Sequence, residues 1–80
     1  MNKVEKISQK MVEKYLNTII EITYINTKND ICIKTGYMTH KSAVRCAINS
    51  ENEIIDKLKE HGIVSEFENE VLNKLRSYEK

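Results

Sequence analysis

The residues of this chain best equipped for chemistry are His40, His61, Cys32 and Cys46, with Lys34, Lys41 and Arg45 as candidate cationic contacts. Two histidines and two cysteines suffice in number for a metal site, but none falls at CxxC or HExxH spacing. His61 precedes Gly62 and reads as a helix-terminal residue, and His40 reads as a loop residue. No serine, histidine and aspartate can be brought together by pattern, and the carboxylates fall where helix starts are expected, so no acid–base pair emerges. The expectation is a protein that is not an enzyme and carries no metal or cofactor.

The signal that remains is the placement of charge. No carboxylate occurs between Asp30 and Glu51, and Lys34, His40, Lys41 and Arg45 all lie in that gap. Residues 1–48 hold eight Lys/Arg against four Asp/Glu, a balance of +4, whereas residues 49–80 hold five against eight, a balance of −3. Such a division describes a surface rather than a fold and points to a macromolecular partner.

Eighty residues make one small domain spanning 1–80, and 40% hydrophobic with 31% charged residues is too apolar for a disordered chain. With no proline and only Gly36 and Gly62, no flexible linker is expected. No apolar run approaches the ~20 residues of a membrane span, and Met1–Glu5 leads into no signal-peptide core. A cytoplasmic chain with reduced cysteines and no membrane contact is therefore expected.

The elements that must position these residues read as follows. Val4, Ile7, Met11, Val12, Leu16 and Ile19 recur at three- and four-residue spacing, which predicts a helix capped by Asn2 with Glu5. Near Asn17 the period changes to two, and Ile20, Ile22 and Tyr24 alternating with Glu21, Thr23 and Ile25 give a strand to about Asn26. Thr27–Asp30 is a polar turn, and Ile31, Ile33 and Tyr37 mark a second strand. Residues 43–48 admit a helix from a Thr39 cap, but register favours a third strand. With four-residue loops at 27–30 and 39–42, Tyr24 faces Ile33, Ile20 faces Tyr37, Ile33 faces Ile48 and Tyr37 faces Val44, all on one side. Capping boxes at Ser50–Glu53 and Ser65–Glu68 then start two closing helices, the first ending at His61-Gly62.

The expected fold is α+β in the order α-β-β-β-α-α, a three-stranded antiparallel meander with helices on one face. Its open face would carry Glu21, Thr23, Ile25, Cys32, Lys34, Gly36, Met38, Ala43, Arg45 and Ala47. Arg45 would reach Glu21 across Gly36. The candidate partner-binding residues are Lys34, Met38, His40, Lys41 and Arg45, and Asp56, Glu60 and Glu70 form a secondary acidic surface that capping does not require.

Over Thr39–Ile48 the chain is similar to the start of the second helix of ribbon–helix–helix DNA binders, although residues 27–36 are short and β-branched where that family has a full helix. The expected element order, with a strand running into Ser50-Glu51-Asn52-Glu53, resembles small phage anti-CRISPR proteins that inhibit Cas9. That resemblance implies an inhibitor of a host protein. Those inhibitors present strongly acidic surfaces in place of DNA, whereas this chain has a net charge of +1. Heavy use of Ile, Asn, Lys and Glu suits an AT-rich coding sequence of the phage and low-GC bacterial kind. The alternative is a nucleic-acid-binding regulator using Lys34, Lys41 and Arg45. An oligomerising subunit is a third class, because both sheet edges are free to pair.

Overall fold

The computed structural model describes residues 2–79. Its order is α1 (Lys3–Leu16), β1 (Ile19–Ile25), β2 (Ile31–Tyr37), α2 (His40–Glu60) and α3 (Glu66–Ser77). The class is α+β, but among the described residues there are two strands rather than three. The helices form a bundle of their own instead of covering a sheet.

α1 begins where expected. The Asn2 side chain accepts from the Glu5 amide at 2.8 Å, satisfying a donor that the first helical turn leaves free. Its apolar stripe turns Val12 fully inward, with Val4, Ile7, Met11, Tyr15 and Leu16 along the margin.

The third strand is replaced by the first half of a 21-residue helix. Thr39 caps it, accepting from the Ser42 amide at 3.2 Å. Residues 43–48 alternate well enough to pass for a strand, but their apolar positions also continue a helical stripe through Ala43, Val44, Ala47, Ile48 and Ile55, all buried. As a strand the segment would bury one side of six residues. As a helix it joins residues 49–60 without interruption and buries its alanines at 0% exposure between α1 and α3. Burial favours the helix, in line with alanine propensity. Ser50–Glu53 is consequently mid-helix rather than a cap.

α2 ends as expected at His61-Gly62. Gly62 takes φ +74°, and the Ile63 amide returns to the Leu58 carbonyl at 2.8 Å, closing the helix with a left-handed glycine. Ser65 then caps α3 by accepting from the Glu68 amide at 3.3 Å. Val71, Leu72 and Leu75 of α3 complete the core. One ion pair, Lys74 Nζ to Glu5 Oε1 at 3.1 Å, ties α3 to α1 at the surface.

The hairpin pairs one residue out of the expected register. Ile19 faces Tyr37, Glu21 faces Thr35, Thr23 faces Ile33 and Ile25 faces Ile31. The cause is the turn, which spans residues 26–30 and not 27–30. Asn26 Oδ1 accepts from the amides of Lys28 (2.9 Å) and Asp30 (3.0 Å), and Asn29 adopts φ +68°. An Asx turn closed by a left-handed asparagine thus adds a residue to the loop. One residue of slip moves a strand's entire side-chain set to the other face.

Candidate functional site

The hairpin is an arm. Neither strand packs extensively on a helix, and the molecule extends 53 × 31 × 20 Å. Its radius of gyration of 16.2 Å compares with about 12 Å for a compact domain of this length. A two-stranded hairpin is marginal alone in water, so such an arm gains from a partner.

Its two faces differ. One carries Ile20, Ile22 and Tyr24 opposite Gly36, Lys34 and Cys32. This face closes partly on itself: Ile22 lies over the space beside Gly36, and Lys34 Nζ sits 5.5 Å from the centre of the Tyr24 ring. Ile20 and Ile22 are half-buried as a result. Cys32 is held near the tip, its sulfur 3.4 Å from Asn26 Nδ2.

The other face has no such cover. Ile19, Ile25, Ile31, Ile33 and Tyr37 are 63–76% exposed, with Glu21, Thr23 and Thr35 between them. An open set of five large apolar side chains is the kind of patch that marks an interaction surface.

The expected partner-binding residues are only partly brought together. Lys34 stands on the arm, whereas Lys41 and Arg45 are exposed on the first turns of α2. The cross-strand reach from Arg45 over Gly36 to Glu21 does not exist, because Arg45 is on a helix. Met38 is not on a sheet face either. It is half-buried in the β2–α2 connection against the helical core, where it receives the Cys46 thiol at 3.9 Å. His40 opens α2 and lines a cleft of about 280 Å³ with Gln9, Val12, Glu13 and Leu16 of α1 and Tyr78 beyond α3. Asp56, Glu60 and Glu70 are exposed on α2 and α3.

Both cysteines are free and half-buried, one on the arm and one on α2. Among the described residues, no three His, Cys, Asp or Glu side chains are grouped to hold a metal ion. No helix among those residues is long and apolar enough to cross a membrane.

One carboxylate expected at a helix start lies elsewhere. Glu51 is 1% exposed, inside the bundle, and its pKa is pushed up to about 8, first by burial and then by the side chain of Glu68. Ser8 Oγ, Glu51 Oε1 and Tyr78 Oη are buried without a hydrogen-bond partner. The Tyr15 hydroxyl meets Ser50 Oγ between α1 and α2.

Sequence reading missed the exposed apolar face of the arm. Its signal was present, since Ile19, Ile25, Ile31 and Ile33 are more isoleucine than a hairpin with one covered face requires. The chain matches no protein-family profile, no curated protein and no solved structure.

Proposed function

We propose that this protein is a non-enzymatic regulator that acts by binding a macromolecule, in the manner of a phage- or mobile-element-type inhibitor of a host defence or nucleic-acid-handling protein. The observation that carries this reading is the arm, a two-stranded sheet with one unpaired edge on each strand, neither strand packing extensively on a helix among the described residues. Free edges recruit extended segments by main-chain hydrogen bonding, and exposed side chains add selectivity. The described chemistry-bearing side chains, by contrast, are dispersed: His40 is on α2, His61 at its far end, Cys32 on the arm and Cys46 on α2.

A second reading, direct binding of nucleic acid, is favoured by one observation: the exposed Lys34–Tyr24 pair on a β-ribbon. Ribbons of two strands fit a nucleic-acid groove, and cation with aromatic suits phosphate and base.

Affinity capture from a host lysate with and without nuclease separates the two. A single stoichiometric partner that survives nuclease supports the inhibitor. Recovery that disappears with nuclease overturns it in favour of nucleic-acid binding. In that case Lys34→Ala, Lys41→Ala and Arg45→Ala together flatten the salt dependence by about one log–log unit per lost phosphate contact.

A further inference from the structure

The open face of the arm has a composition that selects its occupant. It has four rows: Ile19 with Tyr37, Glu21 with Thr35, Thr23 with Ile33, and Ile25 with Ile31. The end rows hold three isoleucines and Tyr37, and the two middle rows hold Glu21, Thr23 and Thr35 with Ile33. Reversing the face end for end lays each end row over the other and each middle row over the other, the reciprocal pairing that a twofold axis across the strands gives an isologous contact.

We infer that this face is covered by a second copy of the chain, the two arms stacking antiparallel. In that arrangement Ile19 and Tyr37 of one copy lie over Ile25 and Ile31 of the other, and Glu21 lies over Thr23. Size fits as well. With Glu21, Thr23 and Thr35, the face offers on the order of 800 Å² per copy, the share each partner gives to a stable interface. Glu21 is the one carboxylate of the face, and the antiparallel stack lays it over Thr23 and so keeps the two Glu21 side chains off each other.

Shape completes the case. The arm projects from the bundle, and its seven-residue strands reach roughly 24 Å. Antiparallel stacking places the bundles at opposite ends, clear of one another. The Lys34–Tyr24 faces then point outward on both sides, available to a target. The stack is independent of what that target is.

The test is sedimentation equilibrium of the purified full chain across micromolar to millimolar concentration, alongside Ile33→Asp. The expected result is a reversible wild-type dimer whose dissociation constant rises at least 100-fold in Ile33→Asp, with helical circular dichroism unchanged. A wild-type chain that stays monomeric throughout overturns the proposal, as does a dimer that Ile33→Asp leaves intact.

Should that variant unravel the arm, cross-linking decides. In chains with Cys32→Ser and Cys46→Ser, a Glu21→Cys chain is mixed with a Thr23→Cys chain and treated with a short bis-maleimide. The expected product is the mixed dimer in excess over either self-linked one. Preferential self-linking of Glu21→Cys, or no cross-link, overturns the antiparallel stack.

Discussion

The carboxyl of Glu51 in α2 is buried in the bundle beside the side chain of Glu68 in α3. Glu51 is buried and Glu68 stands in the first turn of α3, where the helix dipole favours its negative charge. Burial, and after it the neighbouring Glu68 side chain, pushes Glu51 up to about 8. Two carboxylates in contact cannot both ionise cheaply, and burial adds to that cost.

This pair makes stability fall with alkalinity. The folded pKa of Glu51 lies above its ordinary value of 4.5, so the folded state holds the proton more tightly than the unfolded chain. The contribution is complete below the unfolded value, declines as pH rises and is gone above about 8. Urea unfolding at pH 5, 7 and 9 is expected to show a falling midpoint. Glu51→Gln, which keeps shape and donor but cannot ionise, is expected to abolish most of that slope.

The start of α2 can be tested at its cap. Thr39→Ala is expected to cost about 1 kcal/mol, because it removes the acceptor for the Ser42 amide. Amide and carbon chemical shifts across residues 40–48 should be helical in the wild type.

Ser50 acts through Tyr15 rather than as a cap. Ser50→Ala and Tyr15→Phe each remove the same α1–α2 hydrogen bond, at about 1 kcal/mol apiece. The double variant is expected to cost less than the two combined in a denaturant double-mutant cycle.

The two glycines should respond oppositely to alanine. At Gly62 a Cβ meets nothing within 4 Å, yet φ is +74°, so Gly62→Ala is expected to cost about 1 kcal/mol through backbone strain alone. At Gly36 the nearest atom is Ile22 Cδ1 at 3.4 Å, the end of a flexible side chain, and φ is ordinary for a strand. Gly36→Ala should leave the thermal midpoint within 2 °C or so of wild type, a shift of well under 1 kcal/mol.

Asp56, Glu60 and Glu70 are exposed and make no described ion pair. Reversing all three to Lys is expected to change unfolding free energy by no more than about 0.5 kcal/mol per site. Slower association with a captured target in stopped-flow mixing would then report surface electrostatics rather than damage to the fold.

The sequence by itself determined the local features. Asn2 and Ser65 cap helices because their side-chain oxygens lie three residues before an amide that needs an acceptor. Gly62 ends α2 because glycine tolerates a left-handed conformation. The periods of α1, β1 and β2 were legible for the same reason: each is set by neighbours a few residues apart.

Tertiary structure decided the rest. Residues 43–48 satisfy both periods, and only the presence of α1 and α3 on either side makes the helix bury more. Glu51 has the sequence signature of a capping box, but a continuous α2 carries it into the core. The hairpin register turned on whether Asn26 belongs to the strand or the loop, a choice between its ladder position and the amides of Lys28 and Asp30. That choice moved Ile33 and Tyr37 to the face of Ile19 and Ile25. Because the helices bury their apolar stripes against each other, none is left to cover that face, and the excess of isoleucine in the hairpin is the one local sign of it.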